Sequence, residues 1–265
     1  MKRYIIKRYW QVYKTLVFQR ITKASLFRVN FLLTNLMDVV YYLMAFLSIG
    51  LIYEKLPLIA GWNREEFLFF VAFMLCIDNL AMIFSIENYW ELSHAIKTGA
   101  LDYVLLKPLS TTMNLFLRMT RPTCFFNIPL SFGSLIFFLD KLGIDWWIWP
   151  SVFLCIFLGY ILHFLISSSI SCLMFWFIEG TSINFIRMEL IQVGKYPEAI
   201  YPKTIRYIFT FLLPVLVMGS IPVKVFLKKS SPWALLFLVG AILVMIPVYL
   251  LILKRALFAY ESASS

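Results

Sequence analysis

Charged residues are scarce in this chain of 265 residues. Only 14% of its residues are charged, against about 25% in an ordinary soluble domain. Apolar and aromatic residues make up 62% and include 26 Phe, 14 Tyr and 8 Trp. Several apolar runs reach the roughly 20 residues that cross the hydrocarbon of a bilayer. The composition therefore excludes an ordinary soluble domain and predicts a polytopic membrane protein.

The motifs of common catalytic classes are missing as well. The Gly194-Lys195 pair is followed by Tyr196 and has no glycine five residues before it, so the chain has no phosphate-cradling loop of its own. His94 and His163 are its only histidines, and no His-x-x-x-His or Gly-x-Ser-x-Gly pattern occurs. These absences disfavour a metalloprotease and a serine hydrolase. The sequence predicts no catalytic residues, no metal site and no cofactor in this chain.

Paired cysteines are also lacking. The four cysteines stand singly inside apolar runs, which argues against a disulfide framework or a zinc site. A net charge of +10 would suggest nucleic acid in a soluble chain. Here the basic residues lie between apolar spans and at the amino end, where they are typical topology signals. We therefore expect membrane lipid as a partner, and no nucleic acid.

Residues 1–30 hold eight of the 24 basic residues and no Asp or Glu. Aromatic and aliphatic residues alternate with them at helical spacing, which predicts an amphipathic helix lying in the membrane interface. Its simplest role is an anchor that fixes orientation. The positive-inside rule assigns this end to the cytosol.

The apolar runs predict an all-α fold with six transmembrane helices, both termini being cytosolic. We expect one domain with the following divisions: an interfacial helix at 1–30, spans one and two at 31–86, a cytosolic segment at 87–121, spans three and four at 122–178, a fifth helix and its surroundings at 179–232, and the last span with a cytosolic tail at 233–265. The uncharged stretch 147–178 predicts one long, tilted fourth helix of about 48 Å.

The part after residue 182 allows two interpretations. Hydropathy alone makes 183–203 a cytosolic amphipathic helix and 205–223 the fifth span. In the alternative, 183–195 is a short polar membrane helix, and 196–222, with four prolines, folds back into the outer leaflet as a re-entrant hairpin. Such irregular backbone at membrane depth needs protein or a wet cavity around it. Both interpretations leave Lys224, Lys228 and Lys229 on the outer side, against the positive-inside trend.

Two carboxylates, Asp38 and Asp78, and the neighbouring amide Asn79 stand inside predicted spans, where inserting a charged side chain is costly and by default indicates a functional role. Asp38 is near the inner end of the first span, which favours a structural role. Asp78 and Asn79 are near the middle of the second span. Asp78 either attracts a cationic substrate or carries a proton, or it pairs with a neighbouring helix, and the sequence leaves these alternatives open.

The cytosolic segment between spans two and three has its own pattern. Residues 91–98 predict a short amphipathic helix that Gly99 ends, and Pro108 would prevent its continuation. A plain connection rarely needs roughly 30 residues, since median loops are about 4–6. A short helix projecting into the cytosol is the form that a mechanical contact requires.

Four sequence elements occur in order along the chain. They are Gly-x-Leu-Asp-x-x-Leu-x-Lys-Pro-Leu at 99–109, Phe-Trp at 175–176, Tyr-Pro-x-x-Ile-Tyr-Pro at 196–202 and Thr-Phe-x-x-Pro at 210–214. In this order they resemble the ABC type-2 exporter permeases. The resemblance implies a permease subunit of the bacterial plasma (inner) membrane that exports a hydrophobic or amphipathic substrate.

The resemblance also implies partners and sites. A second permease subunit, identical or paralogous, and two separate ATPase subunits would complete the transporter, and ATP and Mg²⁺ would bind to the ATPases. Family members have a coupling helix and re-entrant helices, which favours the hairpin interpretation. The residues expected to contact the ATPase are Trp90, Glu91, His94, Lys97, Gly99, Asp102, Lys107 and Pro108, with Trp90 and Leu92 as apolar anchors. The candidates for the translocation path are Asp78, Asn79, Asp38, Arg187 and Glu189.

A carrier driven by an ion or proton gradient through Asp38 and Asp78 is the alternative hypothesis. Such carriers commonly have internal repeats, and none is detectable here. A membrane scaffold without transport is a third possibility.

Overall fold

The computed structural model describes residues 11, 13–15, 17–22, 28–107, 109–177 and 180–260. The described residues before 23 are helical, but most of the predicted interfacial segment lies outside the described residues. From residue 28 onward the described residues form these α-helices: α1 Arg28–Lys55, α2 Arg64–Phe84, α3 Ile86–Lys97, α4 Leu101–Leu105, α5 Ile128–Lys141, α6 Trp149–Ser171, α7 Gly180–Gln192, α8 Lys203–Tyr207, α9 Val217–Phe226 and α10 Leu235–Ala259. The described residues contain no β-strand, only an isolated bridge between Ile59 and Trp62.

Five helical stretches in the described part of the chain are long and apolar enough to cross a membrane. They are Phe31–Lys55, Arg64–Phe84, Pro122–Lys141, Trp149–Phe175 and Pro232–Ala259, and a bent pair of shorter helices makes a sixth if it is counted as one span. The prediction of an all-α, multi-pass protein is therefore confirmed.

The second span begins at Arg64, where Asn63 and Glu66 cap the helix reciprocally. Asn63 Oδ1 accepts a hydrogen bond from the Glu66 backbone N–H, and Glu66 Oε2 accepts one from the Asn63 N–H, both at 2.9 Å. This capping box satisfies two backbone donors that a helix start leaves unpaired.

The fourth span is shorter than the sequence suggested. Helix α6 starts at Trp149 with Pro150 in its first turn, where the fixed φ of proline suits a helix start. It tightens into a 3₁₀ turn at Cys172–Phe175, and Gly180 already belongs to α7. The prediction of one tilted helix over 147–178 was therefore wrong at both ends.

Residues 203–226 do not form one straight span. Lys203–Leu212 and Val217–Phe226 are joined at an angle of 102°. The break contains Pro214, and a residue before proline is pushed towards extended backbone; Leu213 has φ −126° and ψ 87°. A continuous helix over 205–223 is wrong, and so is one over 183–203, because α7 ends at Gln192.

Helices α2 and α6 form the centre of the bundle. In the most apolar 18-residue windows of these two spans, 78% and 67% of the residues are buried, against 22% in the first and last spans. Helix α2 packs against α1, α5 and α6, and α6 packs against α7, α9 and α10. The outer faces of α1 and α10 are thus left for lipid or another subunit.

Ion pairs collect at the end of the bundle where α2 begins. Glu65 pairs with Lys141 at 3.0 Å and Glu66 pairs with Lys229 at 2.5 Å. Lys224 pairs with Glu198. Two of the lysines that broke the positive-inside trend are thus neutralised by acidic partners.

Candidate functional site

Helix α3 follows α2 after a single residue and carries most of the predicted contact. It begins at Ile86, five residues earlier than predicted, and ends at Lys97. Gly99 has φ +69°, a left-handed conformation that glycine adopts without a steric penalty. The predicted helix end is confirmed. Pro108 lies outside the described residues.

Two side chains on α3 connect it to the rest of its own chain. The Asn88 amide donates to the Met119 carbonyl at 2.8 Å, and its carbonyl oxygen accepts from the Met119 N–H at 2.7 Å. Glu91 lies 3.9 Å from the guanidinium of Arg118. These contacts fix α3 against the returning chain.

Side chains on different faces of α3 differ in their exposure, and only the exposed ones are available to a partner protein. His94 and Lys97 are exposed, and Trp90 is 37% exposed. Leu92 is only 3% exposed and packs in the core, so the expectation that it enters a groove on a partner was wrong. A spacing of two residues on a helix puts Trp90 and Leu92 on different faces.

Helix α4 and the residue after it present two apolar side chains that the sequence analysis did not single out. Tyr103 is 76% exposed and Leu106 is 81% exposed, whereas Leu101 and Val104 are buried. Lys107 is exposed nearby, and partial burial together with Arg118 lowers its pKa. Contiguous exposed apolar surface is typical of a site that a partner or a membrane covers. The spacing of Leu101 and Val104 on one helical face could have indicated that Tyr103 and Leu106 lie on another face.

Helix α7 is attached closely to α3. The Asn184 amide donates to the Tyr89 carbonyl at 3.1 Å, and the guanidinium of Arg187 lies 4.4 Å from the centre of the Tyr89 ring. A Cβ on Gly180 would lie 2.7 Å from Ser93 Oγ. Arg187 is 2% exposed, so it faces protein. Glu189, the other predicted path residue on α7, is exposed.

The carboxyl end of α7 leads to a cleft against α1 and α2. Lys195, in the 3₁₀ turn after α7, forms an ion pair with Asp78 of α2 and donates to the hydroxyl of Tyr41 on α1 at 3.0 Å. The cleft has a volume of 360 Å³. It is lined by Tyr41, Met44, Ala45, Ser48, Ile49, Val71, Met74, Leu75, Asp78, Gln192, Lys195 and Tyr196.

Asp38 and Asn79, the other two candidates inside spans, have structural contacts away from this cleft. Asp38 accepts a hydrogen bond from the Asn127 amide at 2.8 Å, as its structural interpretation required. Asn79 is fully buried beside Ser131 Oγ at 2.9 Å. Of the three in-span candidates, only Asp78 lines the cleft.

A metal site is not indicated in the described ranges, where no three His, Cys, Asp or Glu side chains cluster suitably. The four cysteines are unbridged and buried.

Comparison with known proteins decides the family. A family model described as ABC-2 family transporter protein matches residues 39–264, which is most of the chain. The chain belongs to the ABC-2 transporter family. No curated protein and no solved structure matches it. ABC-2 proteins are membrane transport components, generally not themselves catalytic, that work with ATPase subunits.

Proposed function

We propose that this ABC-2 protein is the permease subunit of an exporter in the bacterial plasma membrane. It would move a hydrophobic or amphipathic substrate with ATP hydrolysed by two separate subunits, and a second permease subunit, identical or paralogous, would complete the pore. ATP and Mg²⁺ would be bound by the ATPases. The observation that carries this proposal is that one helix, α7, contacts both the exposed cytosolic segment and the intramembrane cleft.

The docking surface for an ATPase is formed by α3 and α4, and consists of Trp90, His94, Lys97, Tyr103 and Leu106. Two of its apolar members are more than 75% exposed. Buried aromatic and apolar anchors dominate many interfaces, while charged groups at the rim set the register. Tyr103 and Leu106 therefore replace Leu92 as the expected anchors.

Helix α7 would carry the motion of this surface into the membrane. A push on α3 acts on α7 through the contacts of Tyr89 with Asn184 and Arg187. A helix transmits displacement along its axis. From Arg187 to the end of α7 at Gln192 is about 8 Å at 1.5 Å per residue, and Lys195 follows in the 3₁₀ turn. Movement of α7 would thus change the position of Lys195 relative to Asp78.

We infer that residues 196–226 are re-entrant from the outer surface. Asp78 is about 18 Å along α2 from Glu66, and Glu66 belongs to the end where Glu198 and Lys224 also pair. The break between α8 and α9 comes close to Gly194, beside Lys195, because a Cβ there would lie 2.7 Å from the Val215 carbonyl. The hairpin would therefore dip to the level of Asp78 and return, while both termini stay cytosolic.

The ion-coupled alternative is less well supported. Coupling to an ion gradient needs a carboxylate that takes up and releases its ion, but Asp78 is paired with Lys195 and Asp38 is bonded to Asn127. Membership of the ABC-2 family favours ATP as the energy source.

Copurification tests the proposed docking surface. The double change Tyr103→Ser and Leu106→Ser should leave the protein in the membrane but reduce the amount of ATPase that copurifies by roughly tenfold or more, as losing hot-spot anchors would. Leu58→Ser is the matched control, because Leu58 is 63% exposed in the loop between α1 and α2, at the opposite end of the bundle. Equal recovery of the ATPase with both variants would refute the assignment.

A further inference from the structure

The lining of the cleft contains one positive and one negative group, Lys195 and Asp78. The Lys195 ammonium contacts the Asp78 carboxylate and the Tyr41 hydroxyl. An ammonium has three N–H donors and a carboxylate about four acceptor positions, and these contacts use two of the donors and one carboxylate oxygen. Both groups therefore retain bonding capacity towards a ligand.

A ligand whose head carries a single charge fits the Asp78–Lys195 pair poorly. A cationic head attracted to Asp78 would also face the Lys195 ammonium, and an anionic head near Lys195 would face Asp78. Separating a buried pair so that one charge stays unpaired is strongly unfavourable. A head that carries both charges can pair with Asp78 and Lys195 at once, so no charge is left alone.

The remaining surface of the cleft is apolar and suits the hydrocarbon tail of a ligand. Met44, Ile49, Val71 and Leu75 contribute apolar walls, and α1 presents Met44 and Leu47 at its surface. A volume of 360 Å³ is at the lower end of the range of small-molecule pockets, about 300–1,000 Å³. This space holds a polar head and a few methylene groups, so the rest of a long tail would remain among lipid.

We propose that the cleft binds amphiphiles whose head is zwitterionic, through the Asp78–Lys195 pair. This inference rests on the proposed function, since it names the substrate class of the same transporter. It replaces the preference for cations that Asp78 alone would suggest. Specificity here is a difference between affinities, because each mismatched charge is rejected by the like-charged member of the pair.

Three probes with the same tail test the inference: hexadecylphosphocholine, hexadecyltrimethylammonium and hexadecyl sulfate. Binding is measured on the full chain in nanodiscs, below the micellar concentration of each probe. The unmodified protein should bind the zwitterion at least about tenfold more tightly than either singly charged probe. Binding does not require the ATPase, so its result is separate from the copurification that tests the proposed function.

The variants should change the preference in opposite directions. Lys195→Gln should favour the cation and Asp78→Asn the anion, each by about tenfold relative to the unmodified protein. Lys141→Gln, which removes an ion pair at the outer surface, should leave the order of the probes unchanged. A preference of the unmodified protein for the cation, or the same order of probes in both single variants, would overturn the proposal.

The double change Asp78→Asn with Lys195→Gln covers the case in which a single unpaired charge prevents folding. It keeps the pair's net charge at zero and should bring the affinities of the three probes to within about threefold of one another. Retention of the zwitterion preference by this variant would show that the Asp78–Lys195 pair does not determine the head-group preference.

Discussion

A methyl group added at Gly194 should disturb the contact between α7 and the break before α9. The new Cβ would lie 2.7 Å from the Val215 carbonyl oxygen and 3.1 Å from Met218 Cε. The methionine end can move, but Val215 is fully buried, and its oxygen belongs to the backbone. Overpacking of this kind typically costs about 1–3 kcal/mol. Gly194→Ala should therefore lower the free energy of unfolding by that amount.

The assay compares this variant with Gly240→Ala. Nothing lies within 4 Å of a Cβ at Gly240, which is inside α10, and exchanging glycine for alanine in a helix interior stabilises by about 0.5–1 kcal/mol. Thermal unfolding in one detergent should thus give a lower midpoint for Gly194→Ala and an unchanged or higher midpoint for Gly240→Ala. Equal midpoints would refute the close approach of Gly194 to Val215, and with it the level of the hairpin.

Four further outcomes are expected. Gly99→Val, at φ +69°, should strain the end of α3 by about 1–3 kcal/mol and lower substrate-stimulated ATPase activity without loss of insertion. Arg187→Met should keep the ATPase bound but reduce transport per ATP, because a ring contact of about 2 kcal/mol is lost; normal transport per ATP would argue against α7 as the connection. Asn127→Leu should remove the partner of Asp38 and destabilise the protein by about 1–3 kcal/mol in thermal unfolding, with no change in head-group preference. A cysteine at position 198 should react with an impermeant reagent added from outside, and reaction only from inside would exclude the re-entrant hairpin.

Much of the fold could be predicted because hydropathy and helix signals are local. The five long spans lie, to within one residue, in the regions 31–86, 122–178 and 233–265 that the sequence assigned to spans, and Gly99 ended α3 as expected. The ends of α6 were missed, because an uncharged stretch does not show where packing converts the helix into a 3₁₀ turn. The path of residues 203–226 stayed open, because an apolar sequence is compatible with both a straight span and a bent pair.

The candidate site was harder to predict from the sequence than the fold, because its contacts join residues that are far apart along the chain. Asp78 was identified as costly in a membrane, but its partner Lys195 is 117 positions away, and nothing local connects the two. The burial of Leu92 and the exposure of Leu106 likewise depend on which face of a short helix meets the bundle. Arg187 was a candidate for the translocation path, whereas in the structure it is buried against the Tyr89 ring, a contact that local sequence does not indicate.

Reconstitution tests the central claim, that this chain exports a substrate with energy from a separate ATPase. Proteoliposomes containing the permease and its copurifying ATPase should accumulate a labelled zwitterionic amphiphile only when ATP is supplied on the cytosolic side. An ATPase whose phosphate-binding lysine is changed should abolish accumulation. Accumulation by the permease alone, driven by a proton or sodium gradient, would contradict the claim and establish the ion-coupled alternative.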